Sequence, residues 1–170
     1  MSFNIFLPEF NEFITELGGE EYKGLIFFMF SLSAALSRPF SGKLSDTIGR
    51  KKVMYIGITL GFITTLIYPL SSLVIFFLWL RFIHGFSAGF LPTGATALVT
   101  DILPTEGRGV AMGIWGTFIS VGFGVGNFFA SYIEKWIGFT GLFIVAAGFA
   151  LTAAVLISMI KETLPDPQPF

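Results

Sequence analysis

Five charged residues, Lys43, Asp46, Arg50, Lys51 and Lys52, fall within ten positions of the stretch GKLSDTIGRKKVM, Gly42 to Met54, between two long apolar runs. A carboxylate four residues before a guanidinium can pair with it, and the cluster as a whole can meet lipid phosphates or the end of a neighbouring helix. Three further ionisable side chains, Arg38, Arg81 and His84, lie inside apolar runs. Arg38 is placed to anchor at headgroups. Arg81 lies deeper and needs a polar cavity, a partner carboxylate or carbonyl, or a path along which to snorkel toward water. His84 can serve as a hydrogen-bonded packing residue or as a proton relay, its ordinary pKa being near neutrality. The same runs contain no Asp, Glu or Cys and no second His. They supply no acid/base couple, nucleophile or metal-ligand set, so neither catalysis nor a metal nor a cofactor is expected.

The elements that carry these residues are set by composition. Of 170 residues, 54% are hydrophobic and 12% charged, with 22 Phe and 20 Gly, and the mean hydropathy is +0.79. A soluble domain carries about twice that share of charge. Runs of roughly 20 apolar residues span a bilayer as helices. Five complete ones are expected: 24–44, 53–70, 73–100, 109–133 and 136–160, with a tail over 161–170. The fold class is therefore all-α, a polytopic transmembrane helix bundle whose first partner is the lipid bilayer. Residues 1–21 are apolar but carry Pro8, Glu9, Glu12 and Glu16; they read as the outer remnant of a helix cut at Met1. The net charge of −1 argues against nucleic acid as a partner.

Lys and Arg in short loops stay on the cytoplasmic side. The Lys43–Lys52 cluster, Arg108 and Lys161 are thereby expected inside, and the Ser71–Ser72 and Glu134–Lys135 turns outside. The amino terminus starts outside and the carboxyl terminus is cytoplasmic.

Apolar side chains gain nothing by leaving lipid for one another, so membrane helices associate through small residues. Gly109, Gly113, Gly116, Ser120, Gly124, Asn127 and Ser131 share one face of their span, and Gly122, Gly126 and Ala130 lie nearly opposite. Two small faces predict a helix gripped from both sides, inside the bundle. Arg81, Gly85, Ala88, Pro92 and Thr96 share a face of the preceding span, and Pro39 and Pro92 each remove a backbone hydrogen bond.

The loop Gly42, Asp46, Gly49, Arg50, Lys51 resembles the conserved loop between helices two and three of the major facilitator superfamily of secondary transporters, with Thr47 where an arginine is usual. RFIHGFSAGFLPTG, holding Arg81, Gly85 and Gly89, resembles that family's fourth helix. Gly113, Gly122 and Gly126 echo the spacing of its drug/proton antiporters, although Asn127 stands where they have proline. The resemblance implies helices two to six of a twelve-helix fold in a bacterial plasma membrane. It further implies proton-coupled efflux of a small molecule by alternating access, with Asp46 latching onto a helix of the other half. Arg50 would pair with Asp101, near Arg108, while Arg81, His84 and Asn127 are candidates for the transport path or for coupling. Lys51 and Lys52 are read as fixing topology and touching lipid phosphates. Half a fold of this kind is a fragment, pairs with a second polypeptide or joins a second copy of itself; the competing reading is a non-transporting scaffold or a channel-like oligomer.

Overall fold

The structure, a computed structural model, describes residues 9–164. The remnant assigned to residues 1–21 therefore lies partly outside the described residues. Its described part forms a short helix, α1, Glu9–Glu16, followed by a 3₁₀ turn at Glu20–Tyr22. The long helices are α2, Lys23–Ile48; α3, Arg50–Ile67; α4, Val74–Ile102; and α5, Arg108–Met159. Among the described residues there is no strand.

Two boundaries differ from those expected. The charged stretch from Gly42 is no loop, because α2 continues to Ile48 and α3 begins at Arg50. Gly49 alone joins them, at φ 110°, ψ 152°, a backbone setting that a side chain would strain. The second correction concerns the Glu134–Lys135 turn, which is helical; the break in α5 falls at Gly138, φ 70°, ψ 177°. Thr100 Oγ1 lies 3.9 Å from Met112 Sδ, and Lys51 Nζ reaches Ser158 O. The beginning and the end of α5 thus both lie at the Arg50 end of the bundle, so the chain reverses at Gly138 and α5 supplies two antiparallel arms. Pro39 and Pro92 sit within uninterrupted helices.

α4 is the centre of the packing, against α2 on one side and α3 on the other. On α2 the facing stripe is Ser33, Ser37, Ser41 and Ser45, one serine every four residues and all buried. Ser33 and Ser37 return their hydroxyls to Phe30 O and Ala34 O at 3.1 and 3.0 Å, and Ser41 Oγ lies 3.0 Å from Gly89 O across the interface. On the other side of α4, Ser87 donates to Gly57 O at 2.6 Å. The hydroxyls of Ser33, Ser37, Ser41 and Ser87 are thus satisfied without water, as lipid requires, while Ser45 Oγ has no partner among the described residues. A methyl group on Gly85 would collide with Ser33 Oγ and Phe30 O, and one on Gly89 with Ser37 Oγ.

The first arm of α5 does not occupy the interior. Gly109, Gly113, Gly116 and Gly124 have open space where a side chain would stand, Gly122 is half-buried, and only Gly126 and Ala130 are buried. The small faces are there, but no described helix lies against most of their length.

Gly85→Ala and Gly89→Ala should each destabilise the bundle by about 1–3 kcal/mol through overpacking. Gly113→Ala should be neutral or mildly stabilising, since it meets nothing and improves helix propensity. Thermal unfolding in detergent separates the two classes.

Candidate functional site

At one end of the bundle the ends of α2, α3, α4 and α5 are tied together by charge. Because Gly49 is the whole linker, Asp46 in the last turn of α2 and Arg50 at the start of α3 come together, with Nη1 to Oδ1 3.1 Å. The Arg50 guanidinium also takes Asp101, at the end of α4, with Nε to Oδ2 2.9 Å, and donates to Ser45 O at 2.6 Å. Its side chain is only 12% exposed, whereas that of Asp46 is 71% exposed. The Asp101 contact is thus the better shielded of the two pairs. Thr163 Oγ1 donates to the same Asp101 oxygen at 2.7 Å. Arg108 adds its positive charge beside Asp101 while donating to Leu103 O at 3.2 Å.

A second pair of contacts joins the start of α3 to the end of α5. Glu162 accepts the backbone N–H groups of Arg50 and Lys51, both at 3.0 Å, placing a carboxylate on the positive end of α3. Lys51 Nζ in turn donates to Ser158 O and Ile160 O, at 2.8 and 2.7 Å, placing an ammonium on the negative end of α5. Lys51 therefore meets helix carbonyls where the sequence reading expected lipid phosphates; Lys52 is exposed. Sequence reasoning missed Glu162, whose only signal is an acid in KETLP just after the last apolar run. Burial alone would raise the Glu162 pKa, but the N–H donors of Leu164, Lys51, Thr163 and Arg50 outweigh it and hold the carboxyl below the usual carboxylate range.

Arg81 lies nearer the other end and is 1% exposed. Among the described residues it pairs with no carboxylate, and its burial shows that it does not snorkel. Its guanidinium is clamped between the rings of Phe10 and Phe30, 4.4 Å from each centroid. An arginine at membrane depth costs about 3 kcal/mol, and two desolvated cation–π contacts of about 2 kcal/mol each are enough to offset that. A third contact is the Tyr68 hydroxyl, which also lies 3.0 Å from His84 Nδ1. A guanidinium can only donate, so the phenol oxygen accepts from Arg81, and the direction of the Tyr68–His84 bond follows the imidazole tautomer. Arg81 and His84 are thus brought together through Tyr68. Nε and Nη2 of Arg81 have no hydrogen-bond partner among the described residues, and neither has Asn127 Oδ1, on the first arm of α5.

Glu162→Gln should lower stability by about 1 kcal/mol, the worth of a helix cap. Because the native carboxyl titrates below its unfolded value of about 4.3, its contribution is complete above that pH and disappears as pH falls through the native pKa. Melting curves of wild type and Glu162→Gln should therefore differ at neutral pH and converge in acid.

The chain resembles known proteins along nearly its whole length. It is 34% identical over 163 residues to Multidrug resistance protein 2 of Bacillus subtilis, which covers 93% of this chain and 39% of that protein. To the multi-drug resistance efflux pump PmrA of Streptococcus pneumoniae it is also 34% identical, over 95% of this chain and 42% of the pump. Among solved structures, the human organic anion transporter MFSD10 (TETRAN) superposes with a TM-score of 0.70 at 26% identity, covering 96% of this chain and 38% of that one. The chain spans about two fifths of the length of these relatives. With four helical segments among the described residues long and apolar enough to cross a membrane, one of them folded at Gly138 into two arms, and with the Major Facilitator Superfamily profile matching residues 1–169, the chain belongs to the major facilitator superfamily.

Proposed function

We propose that the protein is the amino-terminal half-bundle of a proton-coupled exporter of small molecules that works by alternating access. The observation that carries this reading is the charge network at the Arg50 end. In a carrier that rocks one bundle against another, each bundle must move as a body. Arg50 to Asp101, Glu162 to the start of α3, and Lys51 to the end of α5 tie helix ends that would otherwise slide separately. Against 12% for Arg50 and 31% for Asp101, the Asp46 side chain is 71% exposed. Its carboxylate is the group available to dock on the positive end of a helix from a second bundle, and it forms the latch of the closed state. The names of the relatives, a multidrug resistance protein, a multi-drug resistance efflux pump and a quinolone resistance protein of Staphylococcus aureus, support an efflux direction.

The Arg50 end, with the chain's main basic cluster, faces the cytoplasm on this reading. The uncovered small faces of the first arm of α5 are where further helices of a longer protein pack. The apolar segments hold no Asp or Glu. His84 is buried and lies close to the Arg81 cation through Tyr68, surroundings that disfavour a second positive charge, so on this reading the proton-coupling sites belong to the second half.

In proteoliposomes the full-length carrier should accumulate substrate against its gradient when a proton gradient is imposed. Asp46→Asn should cut that uptake at least tenfold, as loss of a charged contact worth about 1.5–3 kcal/mol implies, while leaving membrane insertion unchanged. Passive, non-saturable flux would instead mark a pore, and no flux would mark a scaffold.

A further inference from the structure

Beyond the hydrogen bond from Ser41 to Gly89, a cleft of about 600 Å³ opens between α2 and α4. That volume lies within the range of roughly 300–1,000 Å³ that holds a drug-sized ligand. Arg38, Thr93, Thr96 and Thr100 line it, and Arg50 and Asp101 stand at its foot. Arg50 is already matched by Asp46 and Asp101. Arg38 is exposed and has no ion pair or side-chain hydrogen bond among the described residues. It sits ten residues before the end of α2, about 15 Å up the helix from Ile48. A cation held at that depth beside low-dielectric walls exerts a stronger field than one in bulk water. The apolar segments contain no acidic residue to cancel it. The hydroxyls supply the second feature. Thr93 and Thr100 spend their hydrogens on Gly89 O and Thr96 O, at 2.6 and 2.8 Å, whereas Thr96 Oγ1 between them makes no such bond among the described residues.

We infer that this cleft receives an amphipathic organic anion, with the Arg38 guanidinium facing its carboxylate or sulfonate, the Thr96 hydroxyl as second donor, and Pro92 and Ala97 against its apolar body. The inference rests on the transporter reading above in one respect: it takes the Arg50 end as cytoplasmic, so the cleft is the place where cargo is loaded. It narrows the cargo to anions and zwitterions, because Asp101 at the foot of the cleft is already held by Arg50 whereas Arg38 on its wall has no carboxylate paired with it among the described residues.

The test is binding, so that it stands apart from flux. The 170-residue chain in phosphatidylcholine nanodiscs is titrated with carboxyfluorescein and, separately, with ethidium, and fluorescence anisotropy is read. The anionic dye should bind more tightly than the cationic one. Arg38→Gln should weaken carboxyfluorescein at least about tenfold, Arg38→Lys should keep most of the affinity, and Lys43→Gln, removing a cation outside the cleft, should change nothing. Circular dichroism of the Arg38→Lys protein checks that the site tolerates substitution. Equal or tighter ethidium binding, an Arg38→Gln variant that binds like wild type, or a Lys43→Gln loss of the same size would each overturn the inference. So would displacement of the dye by equimolar phosphatidylglycerol, which would assign the cleft to a lipid phosphate. Anion binding without flux in the full-length carrier would remove the transporter reading alone; flux without anion binding would remove only the assignment of the cleft.

Discussion

The bundle depends on α4 lying in contact with two helices at once in a solvent that does not drive apolar groups together. Close approach has to come from missing side-chain volume, and both flanks of α4 provide it: Gly85 and Gly89 against the serines of α2, Gly94 against Arg50 O and Met54 of α3. Serine is suited to this role because it is small and can return its hydroxyl to its own helix or donate across to the next. Ser41 and Ser87 do the latter on opposite sides of α4. This packing also positions Arg81, whose guanidinium is held on the faces of Phe10 and Phe30 once α1, α2 and α4 are in place.

The two ends of the bundle follow different chemistry. At the Arg50 end, water is near and charge does the joining, with the start of α3 met by the Glu162 carboxylate and the end of α5 by the Lys51 ammonium. At the other end the joining is aromatic. Phe10, Tyr68, Phe77 and Phe143 form an edge-to-face and stacked cluster that pins α1 to α4 and to the second arm of α5. A charged lattice responds to ionic strength and pH, whereas the aromatic cluster does not titrate, so perturbing solution conditions loosens the two ends unequally.

Much of the architecture was legible because hydropathy reports the solvent of each segment directly. The long apolar helices and the clustering of basic residues near the junction of α2 and α3 could be read from spacing and charge. The pairing of Arg50 with Asp101 was implied by the family resemblance. The roles of Glu162 and Lys51 could not be anticipated, because they depend on which helix ends become neighbours, a long-range fact that local sequence does not encode. The same limit explains the misplacement of the first arm of α5. Its glycine faces show that a neighbour could approach closely; they do not show that one does. The serine repeat on α2 is the reverse case: four small hydroxyls at four-residue spacing carry the tightest interface, yet they add little to hydropathy and were passed over for the glycines. Arg81 was recognised as costly to bury, but its solution, two phenylalanines from two other helices, has no sequence signature of its own.

The junction at Gly49 has a mechanical consequence. With a single residue between them, α2 and α3 have no slack: a tilt imposed on the last turn of α2 appears as torque on the first turn of α3. The carboxylate of Glu162 sits directly over this elbow and passes the same twist to the end of α5. The hairpin therefore behaves as a stiff crank, and a longer linker at this point would turn it into a loose hinge.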